Sequence, residues 1–315
     1  MISGFCENPA ERRIVMSLDA EKKAMAAAFF ACFVFGLSFI FSKMALEIVS
    51  PAVLLTFRFG LAFLLMNLLL LTGKVRLKLK GKNLGGLFLL GFLQPVIYFF
   101  CENYGIQMTT ATFSAVIIAL IPIAALLGGM IFLKEIPSLL QTLFLILSVA
   151  GAAVMALWKG GEGTVTPLGV ILLFCAVIAS ASFNALSRKT SVDFSPFERT
   201  YMMFVVGLLF FLPVALWETG FRADTLFSYL RYPEVLAATL FLGAACSFLA
   251  FLCLNYANTH LPVARTTAFS NVTTVVSVFA GAVFLNEKLT VGTLAASLMI
   301  IVGVWGVQRF KREKG

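Results

Sequence analysis

The sequence predicts an all-α integral membrane protein, with ten transmembrane helices arranged as two inverted five-helix repeats. Three observations carry this. Hydrophobic residues make up 60% of the 315 and charged residues only 12%, against about 45–50% and 25% in soluble domains. Ten long apolar runs are separated by charged or turn-forming segments. Features of the first half also recur in the second, and five spans per half is an odd number, so the second half enters the bilayer in the opposite sense.

A helix crosses the hydrocarbon layer in about 20 apolar residues. The runs are Ala24 to Ala45, Pro51 to Leu71, Leu84 to Tyr104, Ala111 to Leu133 and Leu139 to Trp158, followed by Leu168 to Leu186, Thr200 to Trp217, Val235 to Tyr256, Val263 to Leu285 and Val291 to Val307. They are apolar on all sides, whereas barrel strands would alternate in period two, so they read as helices. Connections such as Lys134 to Ser138 and Asn286 to Thr290 are too short to hold folded domains. The expected division is a tail over 1–23, a first repeat over 24–158, a second over 166–308 and a basic tail over 309–315.

With ten spans both termini share a side. Of the 24 lysines and arginines, sixteen fall on that side, five on the other, and Arg58, Arg199 and Arg265 inside or at the edge of spans. The positive-inside rule then makes both termini cytoplasmic. The loop KVRLKLKGK, Lys74 to Lys82, reads as a topology signal and a contact for anionic lipid rather than for nucleic acid. Residues 1–23 mix acids and bases without the apolar core of a signal peptide, and read as a cytoplasmic tail or short surface helix. Met16 is an alternative start.

The six cysteines show no CxxC spacing and five lie in apolar runs, while His260 is the single histidine. A disulfide frame or zinc centre is therefore not expected. No GxxxxGK[ST] segment is present, so ATP is not the expected energy source. No cofactor is predicted.

The repeat is visible in the residues. A shift of 152 superposes Asn103-Tyr104 on Asn255-Tyr256, Gly129 on Gly281, FLKE (Phe132 to Glu135) on FLNE (Phe284 to Glu287) and Gly151 on Gly303; a shift of 145 superposes Ser42-Lys43 on Ser187-Arg188 and Ser50-Pro51 on Ser195-Pro196. These segments, with FGLSFIFSK (Phe35 to Lys43), SPAVLLTFR (Ser50 to Arg58) and NYGIQMTTATFSAVIIALIPI (Asn103 to Ile123), make the chain resemble the EamA type of the drug/metabolite transporter superfamily. The resemblance covers Ala24 to Phe310. It implies two five-helix EamA repeats and export of amino acids or related metabolites from a bacterial inner membrane. One departure is Thr274, opposite Pro122, where many relatives have a proline in the ninth helix; if Pro122 bends helix four, the halves need not flex equally.

Polar groups within spans mark candidate sites, since a charge at the bilayer centre costs about 3 kcal/mol on insertion scales. Arg58 lies seven residues into the second span, about 10 Å deep. Glu102 sits near the end of the third, on the side where the second begins. The two can meet, either as an ion pair locking helices or as a pair facing substrate or a proton. Gln94, Tyr98 and Glu102 follow at i, i+4 and i+8, on one helical face. Asn184 and Asn271 stand out among the serines and threonines of the sixth and ninth spans, whose plain reading is interhelical hydrogen bonding. Phe39 is the aromatic candidate for a passage wall. Glu135, Glu287, Arg199, Arg265 and His260 read as interface residues.

The function expected is a secondary transporter moving a small-molecule substrate by alternating access, with possible proton coupling, and not an enzyme. A membrane-embedded enzyme would need clustered acids, histidines or a nucleophile with its base; a channel or non-transporting scaffold is the other alternative. Lipids are the expected surroundings.

Overall fold

The protein was analysed as a computed structural model that describes residues 9–109, 114, 117–159, 165–285 and 290–310. The side chains of 9–18, Phe39, Lys43 and positions 106, 107, 156, 158, 159, 278 and 285 lie outside the description. Among the described residues there is no strand, and ten helical rods follow one another, with a short helix Ala223–Ser228 and a helical turn Tyr229–Arg231 between the seventh and eighth. We number them α1 (Pro9–Leu46), α2 (Pro51–Leu71), α3 (Gly85–Gly91, a π-helical stretch Phe92–Tyr98, then Phe99–Gln107), α4 (Ile121–Leu133) and α5 (Leu139–Lys159). In the second half come α6 (Pro167–Thr190), α7 (Pro196–Glu218), α8 (Pro233–Leu240, a π-helical stretch Phe241–Ala250, then Phe251–His260), α9 (Val263–Ala268 and Ser270–Leu285) and α10 (Val291–Arg309). Eight rods contain helices long and apolar enough to cross a membrane, and α4 and α5 are shorter apolar helices.

Local chemistry places these ends. Ser50 caps α2 by accepting from the Val53 N–H at 3.3 Å, with Pro51 opening the helix. Its repeat mate Ser195 caps α7 with Pro196 behind it, and Glu198 completes a capping box. Proline suits that position because its missing N–H would have no partner there. The expected tail is helical from Pro9 and continues into α1 without a break. The early part of the expected fourth span falls mostly on residues outside the description; the described helix restarts at Ile121, where Pro122 enters its first turn. Its mate α9 also breaks, at Phe269, without a proline. Thus both halves carry an interruption at this level, although only one has the residue expected to cause it.

The main helix pairs are preserved when the halves are exchanged. α1 packs on α9 and α8 as α6 packs on α4 and α3; α2 meets α8 as α7 meets α3; and the pairs α2–α7 and α5–α10 map onto themselves. Glycines show the same exchange in atomic detail. A Cβ on Gly91 of α3 would lie 2.9 Å from the Val206 Cβ of α7, and one on Gly243 of α8 would lie 2.8 Å from the Leu61 Cβ of α2. Gly243 is Gly91 shifted by 152, and Val206 is Leu61 shifted by 145. Gly151 and Gly303 form another such pair across α5 and α10, approaching Met299 and Ser148. Lipid gives helices no hydrophobic reason to associate, so backbone approach through small residues is what holds such bundles. Outward faces carry Leu64, Leu68, Ile131, Phe132, Leu157 and Leu298, each at least half exposed, as a lipid-contacting surface requires.

The two π-helical stretches end at matched positions, Tyr98 and Ala250. In α3 the cause is Pro95, which has no N–H to donate. Its mate in α8 is Ser247, which turns out to hold the buried cation described next.

Candidate functional site

Arg58 is drawn into the bundle from α2. Its Nε donates to Ser247 Oγ at 2.7 Å, and its guanidinium carbon stands 4.8 Å from the Phe99 ring centre. Only 6% of the residue is exposed. Among the described residues no partner takes its Nη atoms, and neither is sealed from solvent. Tyr98 donates its hydroxyl to Glu102 Oε1 at 2.6 Å. Arg58 and Glu102 do not form an ion pair among the described residues. Phe99 faces α2, its ring tilted 55° to that of Phe59 with the centres 5.9 Å apart, and Glu102 lies three residues further, about 60° round the helix and about 4.5 Å along it. The result is a cation and an acid in one neighbourhood, each held by a neutral hydroxyl and each with capacity left. Such an arrangement can take a solute carrying both signs of charge.

Gln94 lies on the same rod, buried, its Oε1 without a partner. The π-helical turn between it and Tyr98 breaks the simple i, i+4 register. Asn271 donates to Ser148 Oγ at 3.0 Å, tying α9 to α5. Asn184 accepts from Asn258 Nδ2 at 3.2 Å and donates to Ser180 O at 2.8 Å. The structure therefore brings Arg58, Tyr98 and Glu102 together and seats Asn184 and Asn271 elsewhere. Phe39 is on α1, with its side chain outside the description; it is the repeat mate of Asn184.

Asn184 leads into a second polar centre, at the membrane side where the chain ends. Arg199, in the first turn of α7, is fully buried. Its Nη1 donates to Ser187 O at 2.6 Å and Ser187 Oγ at 2.7 Å, and its Nη2 to Asn255 O at 2.7 Å and to Thr259 Oγ1. Asn255 Nδ2 in turn donates to Thr200 Oγ1 at 2.9 Å. Arg188 donates to Glu135 Oε1 at 3.1 Å and to the carbonyls of Asn258 and Thr259, and Glu135 accepts from the Val263 N–H at 2.8 Å. One network thus ties the ends of α4, α6, α7, α8 and α9. Among the described residues no carboxylate pairs with Arg199, and a buried cation without one is costly, so the site is not explained by stability alone. We call it the latch.

Among the described residues the opposite side has no counterpart of the Arg199 network. The last turns of α8 pack against the end of α6 and the start of α7, whereas those of α3 make no comparable packing against the end of α1 and the start of α2. Asn103, mate of Asn255, bonds only to Phe99 O in its own helix, at 2.7 Å. The mate of Arg199 is Leu54.

Sequence reasoning placed Arg199 and Glu135 at an interface without seeing that they belong to one network. The signal was there in Asn103 and Asn255, which the shift of 152 pairs. Ser247 and Asn258 gave no sign. Arg265, expected to reach the interface, is buried and pairs with Glu21 at 2.7 Å and Gln308 at 2.9 Å; Glu287 lies outside the described residues. Among the described residues no three His, Cys, Asp or Glu side chains cluster as metal ligands would.

Two exchanged five-helix halves in a lipid-facing bundle, with charges held inside, define an integral membrane protein of the inverted-repeat kind that moves solutes. The model of the EamA-like transporter family matches residues 22–157 and again 167–309, and the chain belongs to that family, within the drug/metabolite transporter superfamily. The uncharacterized transporter YcxC of Bacillus subtilis is 32% identical, over 90% of this chain and 92% of its own. An uncharacterized transporter of Archaeoglobus fulgidus is 25% identical over 87% and 94%, and a WAT1-related protein of Arabidopsis thaliana 23% over 76% and 71%. A crystal structure at 16% identity superposes with a TM-score of 0.76, covering 91% of this chain and 96% of that one, which speaks for the fold alone.

Proposed function

We propose that the protein is a secondary transporter that exports small organic metabolites, amino acids or related compounds, by alternating access. The observation that supports this reading is the broken symmetry: two halves that share their main helix pairs, yet, among the described residues, have the buried Arg199 network on the side of the termini alone. In this reading the structure is the state open away from the termini. Its partner state has the latch undone and the ends of α1, α2 and α3 drawn together, by rocking of one half on the other. Solute contacts fall to Arg58, Tyr98, Glu102 and Gln94, with Phe39 on the wall; Asn184 and Asn271 bear on the passage from the latch and from α5. Arg58 takes a carboxylate, and Glu102 an amine or an exchanged proton.

We place the protein in a bacterial plasma membrane with both termini cytoplasmic, on the strength of its lysine and arginine distribution. Activity-reporting fusions at the C-terminus test the orientation. For transport, the protein and its Arg58→Ala and Glu102→Gln variants are expressed in a transport-deficient host. Extracellular metabolites are then compared with an empty-vector control. The native chain raises at least one amine-bearing or carboxylate-bearing metabolite, and each variant abolishes the rise. Unchanged export by both variants, with protein normally in the membrane, removes these residues from the site.

A further inference from the structure

We propose that the segment 74–80, with the groove above it, is a binding site for an anionic phospholipid. Two glycines of positive φ, Gly73 at 70° and Gly81 at 80°, bracket this segment, and between them burial alternates residue by residue, with no helix or turn over 76–79. An extended chain points alternate side chains to opposite faces. Here Val75, Leu77 and Leu79 turn inward onto the core, while Lys74, Arg76, Lys78 and Lys80 are all exposed on the other face. The register is pinned: the Lys78 N–H donates to Glu198 Oε1 at 2.6 Å. Lys82, the fifth cation, is used differently. It folds inward to donate to Asp193 O at 2.6 Å and stands 4.8 Å over the Phe194 ring.

Four cations on one face, about 6.6 Å apart where the chain has strand-like spacing, suit a phosphate rather than a single carboxylate partner. Their surroundings identify which kind of phosphate. Leu71 beside the row is 83% exposed and Val192 on the facing turn 88%, so the row lies where apolar side chains need lipid. A shallow apolar groove lined by Leu65, Leu68, Leu69, Thr72 and Phe248 runs up the outside of α2 and α8 from the same point. Thr72 joins the two parts, its Oγ1 accepting from the Lys74 N–H at 3.5 Å. An acyl chain fills the groove while its anionic headgroup meets Lys74 and Arg76. Because Glu198 holds this strap and also precedes Arg199, an occupied site steadies the first turn of the helix that carries the latch.

The test does not depend on transport. Trp158, Trp217 and Trp305 are replaced by phenylalanine and Leu68→Trp places an indole in the groove. The protein is reconstituted in phosphatidylcholine with rising phosphatidylglycerol, and quenching by brominated forms of each lipid is compared. Phosphatidylglycerol is expected to be preferred at least threefold. The preference should vanish in K74Q/R76Q/K78Q/K80Q and persist in K311Q/R312Q/K314Q, which removes charge from the same side. A ratio near one in the native strap overturns the proposal. So does a preference retained without the four cations, or lost equally in the tail variant, which would make it bulk surface charge. Native mass spectrometry of the unsubstituted protein offered both lipids equally gives a second reading, in which equal retention of the two, or retention of a short RNA over either, also overturns it.

Discussion

The two ends of the bundle are built from matched parts and behave differently. At the side of the termini, Ser187, Arg199, Asn255 and Thr259 join three helices through a buried guanidinium. On the other side the corresponding helices carry Ser42, Leu54 and Asn103, and Asn103 spends its amide within its own helix. The contacts of Gly91 and Gly243, by contrast, agree to about 0.1 Å. Symmetry is therefore kept at the Gly91 and Gly243 contacts between the halves and lost at the ends of the bundle. Among the described residues, what one end has and the other lacks is a buried guanidinium network; single polar links such as Ser50 to Glu218 and Thr166 to Met108 occur on the other side as well.

The largest expected effect comes from removing the latch. Arg199→Met keeps much of the volume and deletes the hydrogen bonds to Ser187, Asn255 and Thr259. A hydrogen bond to a charged group contributes about 1.5–3 kcal/mol, and 1.4 kcal/mol is about tenfold in an equilibrium. Labelling of a cysteine placed at Ser180, by a maleimide added from the side of the termini, should rise tenfold or more. Thermal stability should change little, because the relief of a buried cation without a carboxylate offsets the acceptors on Ser187, Asn255 and Thr259 that lose their donor. Unchanged labelling would show that the latch does not hold the passage shut.

The next test sets mates against each other. Asn255→Ala removes a side chain that donates to Thr200 and accepts from Ser187 at 2.7 Å, leaving buried groups unpaired at about 1–3 kcal/mol. Asn103→Ala removes one bond within a helix, from a half-buried residue, and should cost well under 1 kcal/mol. Melting of both variants in detergent should separate them by several degrees, and equal shifts would contradict the asymmetry. Gly91→Ala and Gly243→Ala supply the symmetric control. Each new methyl meets a side chain at under 3 Å, so each should cost about 1–3 kcal/mol, and by similar amounts.

How much of this was legible beforehand follows from what each kind of signal depends on. Ten apolar runs and the shifts of 152 and 145 gave the rods and their pairing, because lipid forces every span to be written in composition. Arg58 and Glu102 were visible because charges in spans are rare. Their partners were not: Ser247 is one serine among many, and it faces Arg58 only through the π-helical turn of α8, which no periodicity announces. Arg199 was placed at the interface because it opens a span; its burial depends on α8 closing over it, a tertiary fact. The break in α9 at Phe269 lacked the proline that would have signalled it.

The smallest effect concerns the turn that brings Glu135 to the latch. Lys134 ends α4 in the left-handed region, at φ 56°, and the Glu135 N–H closes the turn on Gly129 O at 3.1 Å. A side chain there costs about 1 kcal/mol relative to glycine. Lys134→Gly should therefore raise the melting temperature by a degree or two while leaving the Arg188–Glu135 ion pair of 3.1 Å, and hence the labelling of Ser180→Cys, unaltered. A fall in stability would mean that the lysine's charge at the membrane surface outweighs the strain of its backbone. A change in labelling would instead place this turn within the latch, extending the asymmetry of the two ends into the loop between α4 and α5.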